Sequence, residues 1–194
     1  SVGDGPAAFN AQMHGMVHAV TSVDPIYALS RKAIHQRIHE VKEDLLQHVA
    51  LHQDQYVWEQ IRDVKALERL RMDAMLLFLN DFDAGRKAGR YLAHALPERL
   101  PFADRHFDLV LSSHFLLLYA QLGFDFHMQS IREMLRVGKE VRIFPVMSLD
   151  KKQDNSLLTQ LVNSFEADYH VVLKEVKYEF QRGANQMMIL KSTI

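Results

Sequence analysis

The stretch Leu100–Ser113, LPFADRHFDLVLSS, carries the most information about the fold of this chain. Its second half, FDLVLS at Phe107–Ser112, is an almost unbroken apolar run. A strand that is apolar on both faces is typical of the centre of a parallel sheet, where helices cover both sides. We therefore predict a buried, central strand at Phe107–Ser112.

Strand-like and helix-like segments alternate on both sides of this run. Short apolar segments between turn residues predict strands, and apolar residues spaced three and four apart predict helices. The predicted strands are Val17–Asp24, Arg90–Leu96, Phe107–Ser112, Glu140–Val146, His170–Phe180 and Gln186–Lys191. The predicted helices are Phe9–Gly15, Ser30–Gln53, Asp63–Ala84, Phe124–Val137 and Asn155–Asp168.

This alternation predicts an α/β fold with one doubly wound, mostly parallel, Rossmann-like sheet. The segment after the second strand is longer than a crossover requires, which predicts a helical insert at residues 26–89. The chain has 194 residues, of which 48% are hydrophobic. That is enough for one well-buried domain and too short for two ordinary ones, so we expect a single domain over residues 1–194.

A glycine-rich turn precedes the first predicted helix. Gly3, Gly5 and Ala8 form the pattern G-x-G-x-x-A, which lets a nucleotide approach the backbone and the free N–H groups of a helix N-terminus. Asp24 ends the next strand, about 20 residues further on, where a carboxylate can accept both ribose hydroxyls. The pattern predicts a nucleoside cofactor, with NAD and S-adenosylmethionine both open.

Four segments together resemble the class I S-adenosylmethionine-dependent methyltransferases. They are SVGDGPAAF at 1–9, VTSVDP at 20–25, the L-P-F-x-D-x-x-F-D-x-V stretch at 100–110 and IREMLRVGKEVRIFPV at 131–146. The resemblance covers nearly the whole chain. It implies that the last strand of the sheet is reversed and that the family's first strand is largely missing here.

The resemblance also implies where S-adenosylmethionine binds. Gly3 and Gly5 would border its methionine moiety, Asp24 would hold the ribose, and Leu96 and Pro97 would flank the adenine. The fourth strand of the family ends beside the transferable methyl group, where this chain has Ser113. The implied activity is methyl transfer to an O or N atom.

Two departures from the family pattern keep other functions open. Ser1 stands where the family usually has an acid, and His94–Leu96 lacks the acid often found at the end of the third strand. These departures favour, as an alternative, a non-catalytic methyltransferase-like partner subunit. A nicotinamide-dependent oxidoreductase is favoured only by the glycine pattern.

Methyl transfer requires positioning of the acceptor and, for some acceptors, removal of a proton. His114 directly follows the central strand, and we predict it as the catalytic base; a histidine hydrogen-bonded at a strand end is the alternative. Tyr27, Tyr119 and Arg182 are candidates for binding the acceptor. Packing under the insert is the alternative for Tyr27, and a solvated turn is the alternative for Arg182.

The composition excludes several partners and reactions. A net charge of −1 and a pI near 6.8 count against nucleic acid as a partner. The absence of cysteine excludes disulfides and covalent C5 methylation of pyrimidines, and it fits a cytoplasmic protein. No Asn-Pro-Pro-Tyr-like stretch follows Ser113, which counts against amino methylation of nucleobases. The most apolar stretch, Leu109–Phe124, is too short to span a membrane. We therefore expect a small-molecule acceptor, with a protein acceptor also open.

Two histidine pairs stand four residues apart, His35 with His39 and His48 with His52. Neither pair has a nearby third ligand in an H-E-x-x-H frame. We interpret both pairs as part of a polar helix face and predict no metal site.

Overall fold

The computed structural model describes residues 1–147 and 156–192. By their internal contacts these residues divide into two compact units. The helical unit consists of Gly5–Ala93 and Glu179–Arg182, and the sheet unit consists of Ser1–Asp4, His94–Tyr178 and Gly183–Ile194. No helix among the described residues is both long and apolar enough to cross a membrane.

The helical unit contains three α-helices and a two-stranded parallel sheet. In chain order they are α1 (Phe9–Gly15), β1 (Ser22–Val23), α2 (Arg31–Leu51), α3 (Val64–Lys87) and β2 (Tyr91–Leu92). The side chain of Ser30 accepts a hydrogen bond from Ala33 N–H, and that of Asp63 accepts one from Ala66 N–H. These bonds cap α2 and α3 at their N-termini, as expected of Ser and Asp in that position.

The core of the helical unit forms where α2 and α3 pack together with β2. It is a cluster of aromatic and aliphatic side chains that are at most 4% exposed: Tyr27, Ile34, Ile38, Phe78, Leu79, Phe82 and Tyr91. Gly85 of α3 lies against the ring of Tyr91, so closely that a Cβ at this position would come within 2.4 Å of it. Burial of this apolar surface supplies the main stabilising term for α2 and α3.

A polar cluster joins α1 and α3 to β2. Both Nη atoms of Arg90 donate to the two carboxylate oxygens of Asp81, at 2.6 and 2.7 Å, and Asn10 accepts a further bond from Arg90. The hydrogen bonds from Arg90 lower the pKa of Asp81. Asn10 itself is fully buried and donates to the carbonyls of Val20 and Arg90. The cluster therefore holds the chain on either side of the small sheet.

The described residues of the sheet unit form four strands and two α-helices. They are β3 (Val110–Ser113), α4 (Phe124–Val137), β4 (Glu140–Phe144), α5 (Ser156–Phe165), β5 (Tyr169–Glu175) and β6 (Gln186–Ser192). The strand order is β3-β4-β6-β5, with β3 parallel to β4 and β6 antiparallel to both of its neighbours. Val2 N–H donates to Leu111 O beside β3, at 2.8 Å.

The predicted doubly wound, mostly parallel, Rossmann-like sheet with a reversed last strand is wrong. The described strands form two sheets, and only one of the three pairings in the larger sheet is parallel. The prediction that Phe107–Ser112 is a central strand is also wrong, because the corresponding strand, β3, lies at an edge of the larger sheet. Two predicted strands are much shorter than expected. Of Val17–Asp24 only Ser22–Val23 is a strand, and of Arg90–Leu96 only Tyr91–Leu92.

Local hydrogen bonding explains why β1 and β2 are short. The Asn10 amide binds the Val20 carbonyl before β1, Pro25 follows β1 and cannot donate, and Ala95 N–H after β2 donates to the His94 ring. Side chains thus replace the ladder bonds that longer strands would need.

The predicted helices agree better with the structure. Those at Phe9–Gly15 and Phe124–Val137 are confirmed with the predicted bounds, and α2 and α3 are confirmed with their caps. The predicted first residue of the last helix, Asn155, lies outside the described residues. The expectation of a single domain, with an insert at 26–89, stays a prediction.

Val17 occupies an unfavourable backbone conformation at the end of α1. Its φ is +62°, its side chain is 93% exposed, and His18 N–H closes the turn onto Met13 O. A left-handed residue at the end of a helix is usually glycine, because a branched Cβ clashes there. We expect Val17→Gly to raise the free energy of unfolding by about 0.5–1 kcal/mol, measured by chemical denaturation.

The neighbouring Met16 provides a matched control. It is also apolar and exposed, but its φ is −94°. Met16→Gly should lower the free energy of unfolding, since glycine there only adds entropy to the unfolded chain. Equal effects of the two substitutions would contradict the assignment of strain to Val17.

Candidate functional site

Both glycines of the predicted cofactor loop adopt left-handed backbone conformations. Gly3 has φ +69° and Gly5 has φ +56°. In the sheet unit, a Cβ on Gly3 would come within 2.4 Å of the Phe115 ring. Gly3 is therefore required for both its conformation and its close contact, whereas Gly5 is required for its conformation alone.

In the helical unit, Gly5 and Asp24 are in direct contact. Gly5 N–H donates to Asp24 Oδ2 at 2.8 Å, and Ile26 N–H donates to Asp24 Oδ1 at 2.8 Å. Asp24 has an extended backbone and caps the 3₁₀ turn at Pro25–Ala28. The carboxylate is thus held in one orientation by backbone groups on both sides of it.

Tyr27 completes this group of residues. Its hydroxyl donates to Gly5 O at 2.8 Å, and its ring is 1% exposed. The ring packs against Phe78, Phe82 and Tyr91. Tyr27 is therefore a core residue whose hydroxyl holds Gly5 in place. Its buried ring has no exposed face that could stack on a ligand.

In the sheet unit, Ser113 and His114 lie together at the end of β3. Ser113 Oγ and His114 Nδ1 are 2.8 Å apart, and both side chains are exposed. His114 has φ +57°, and its N–H donates to Phe144 O at 2.7 Å. Its ring lies edge-on to the ring of Phe144, with centroids 5.5 Å apart. The backbone bond to β4 thus stabilises a conformation that is uncommon for a non-glycine residue.

The other predicted site residues lie in different surroundings. Leu96 and Pro97 of the sheet unit are half-buried, and Tyr119 is 39% exposed. Arg182, in the helical unit, donates from Nε to Asp54 O and from Nη2 to Tyr56 O, both at 3.2 Å. The guanidinium therefore holds a backbone segment of its own unit.

The start of the Leu100–Ser113 stretch is held by two charged residues of α4, which the sequence did not point to. Arg136 donates to Leu100 O and Phe102 O and pairs with Asp104 Oδ1 at 2.7 Å. Glu133 accepts from Leu100 N–H at 2.7 Å and pairs with Arg136 at 2.6 Å. Although burial would raise the pKa of Glu133, its bonds from Arg136 and Leu100 lower it. The i,i+3 spacing of Glu and Arg was the available signal.

His127 of α4 is a fully buried titratable group. Its Nδ1 lies 2.6 Å from Gly123 O, so Nδ1 carries the hydrogen and Nε2 is the acceptor. Within the described residues no donor reaches Nε2, and the Oγ atoms of Ser112 and Ser130 are also buried without a partner there. Burial lowers the pKa of His127, which keeps the ring neutral.

No group of three or more His, Asp or Glu side chains in residues 1–147 and 156–192 is arranged to hold a metal ion. The chain contains no cysteine that could contribute a thiolate ligand.

Comparison with known proteins identifies a relative without a described activity. No protein-family model and no solved structure matches the chain. The uncharacterized protein MJ0045 of Methanocaldococcus jannaschii is 28% identical over 192 residues, which cover 98% of this chain and 83% of that protein. The similarity therefore extends over both units and assigns no reaction to either.

The buried neutral His127 makes stability dependent on pH. The unfolded state takes up a proton near the ordinary histidine value of about 6.5, whereas the folded state resists it down to its lower pKa. The free energy of unfolding should therefore fall as the pH drops from 7 to 5, by at most about 1.4 kcal/mol per unit for this residue. Chemical denaturation at a series of pH values measures the slope.

The variant His127→Gln should reduce this pH slope, because it removes the titrating ring. The control is His106→Gln, which replaces an exposed ring of the same unit, and the slope of His127→Gln should be smaller than the slope of this control. A slope that is unchanged in His127→Gln would show that other groups cause the acid sensitivity.

Proposed function

We propose that this protein binds S-adenosylmethionine and transfers its methyl group to an O or N atom of a small-molecule acceptor. The observation that carries the proposal is the bond between Gly5 N–H and the Asp24 carboxylate, which joins the glycine loop to the candidate ribose-binding acid. The sequence resemblance described above favours S-adenosylmethionine over other adenosine cofactors.

The Asp24 carboxylate is suited to a ribose. It is held by two backbone N–H groups, and each carboxylate oxygen can accept more than one hydrogen bond. An acid that is already oriented loses little entropy when it binds, which strengthens a polar contact.

The donor supplies a methyl group that its sulfonium already activates, so the protein has to position the acceptor and remove a proton. The acceptor's lone pair forms the bond to the methyl carbon, the carbon–sulfur bond breaks with its electrons on sulfur, and the acceptor's proton goes to a base or to water. We propose His114 as that base. For Nε2 to accept the proton, Nδ1 must carry the other hydrogen and donate to Ser113 Oγ.

A second candidate function is a non-catalytic methyltransferase-like subunit of a larger enzyme. Ser1 and His94–Leu96, which lack the acids usual in the family, favour it. A protein acceptor also stays open for the catalytic function. For either function we propose a cytoplasmic location, on the absence of cysteine.

Calorimetric titration with S-adenosylmethionine, S-adenosylhomocysteine and NAD tests the cofactor. We expect the first two ligands to bind and Asp24→Ala to weaken their binding by about 1.5–3 kcal/mol, the range for hydrogen bonds to a charged group. Tighter binding of NAD would contradict the methyl-transfer function and favour an oxidoreductase.

Asp63→Ala is the matched control for the loss of a helix cap. Asp63 caps α3 as Asp24 caps its 3₁₀ turn, so its loss should cost about 1 kcal/mol of stability. We expect it to leave cofactor affinity unchanged. Equal weakening by both variants would mean that Asp24 acts through stability and does not contact the cofactor.

The role of His114 is tested with an acceptor found by screening for release of S-adenosylhomocysteine. His114→Gln should lower kcat by about 10²–10⁴, the usual contribution of a general base, and leave cofactor affinity unchanged. The control His170→Gln replaces an exposed histidine on β5 and should keep both values. An unchanged kcat in His114→Gln would show that His114 is not the base and that catalysis depends on positioning alone.

A further inference from the structure

His35 and His39 lie on the exposed face of α2, one helical turn apart. Their Nε2 atoms are 3.2 Å apart, and their ring centroids are 4.5 Å apart with a tilt of 55°. Imidazole nitrogens are common ligands of Cu²⁺, Ni²⁺ and Zn²⁺. In contrast to the sequence-based prediction of no metal site, we infer that His35 and His39 form a two-ligand site for a divalent transition-metal ion, with water at the remaining positions.

The distance between the two nitrogens fits simultaneous coordination. Bonds from an imidazole nitrogen to such ions are about 2.0–2.1 Å long. Two nitrogens 3.2 Å apart then subtend an angle of roughly 100° at the ion. This angle lies between the values of square and tetrahedral coordination. The two nitrogens now share a hydrogen bond, so one ring has to carry its hydrogen on Nδ1 instead of Nε2 before both can bind the ion.

The helix holds the two rings in place before an ion binds. Ile34 and Ile38, which precede the two histidines, are 0% and 4% exposed and anchor this part of α2 in the core. Ser30 caps the same segment. Because the backbone between the two ligands is already ordered, binding costs little more than the rotamer freedom of two exposed side chains.

The second histidine pair shows that spacing alone does not produce this geometry. His48 and His52 are also four residues apart, but His52 follows the last residue of α2 and its Nδ1 is bonded to His48 O at 2.8 Å. Their rings are closer to parallel, at 33°. This pair has the same residue types and separation, so it serves as an internal control.

Isothermal titration of the full chain with NiCl₂, ZnCl₂ and MnCl₂ tests the site. We expect Ni²⁺ and Zn²⁺ to bind more tightly than Mn²⁺, following the general order for nitrogen ligands. His39→Gln should weaken the binding of Ni²⁺ by at least about tenfold, since loss of even an outer-shell partner commonly does so. His52→Gln should leave it unchanged.

The substitutions are suited to this test because His39 is exposed within α2, where glutamine is a good helix former, and His52 is only half-buried and follows the end of the helix. Thermal unfolding gives a second readout. Ni²⁺ should raise the Tm of the unmodified chain and of His52→Gln, and it should raise the Tm of His39→Gln less. Equal Ni²⁺ affinity in the unmodified chain and His39→Gln, or equal weakening by His52→Gln, would overturn the inference.

Discussion

The candidate site of the helical unit depends on the hydrogen bonds that the Asp24 carboxylate accepts. It accepts Gly5 N–H on one side and Ile26 N–H on the other, so one side chain orients the glycine loop and starts the turn that leads into α2. Tyr27, in that turn, returns a bond to Gly5 O from the aromatic core. Packing of α2 and α3 therefore stabilises the loop through Tyr27.

The sheet unit combines a well hydrogen-bonded framework with two residues in energetically unfavourable states. Arg136 and Glu133 bond to the backbone groups of Leu100 and Phe102, which holds this irregular segment against α4. By contrast, His114 has a left-handed backbone, and His127 keeps a buried acceptor without a donor among the described residues. Unfavourable features of this kind often occur at functional sites, because a rigid framework is needed to hold them.

Because the relative has no described activity, the proposed functions rest on individual residues. MJ0045 is similar over almost the whole chain, yet it is itself uncharacterized. The proposed methyl transfer rests on the glycine loop, Asp24 and the stretch after Leu100, while the proposed metal pair rests on nitrogen positions in α2. The two proposals concern different side chains and are independent of each other.

Local patterns in the sequence determined most of the helices, their caps at Ser30 and Asp63, and the left-handed glycines of the loop, because these depend on residues close in the chain. The sequence also predicted that Gly5 and Asp24 belong to the same cofactor site. It did not determine the sheets: the pairing of Ser22 with Arg90 and the bond from Asn10 to the Val20 carbonyl depend on contacts that periodicity alone does not reveal. Only the tertiary structure buried the Tyr27 ring, bonded Arg182 to backbone carbonyls and gave the two histidine pairs different geometries, because packing and long-range hydrogen bonds decide where a side chain points.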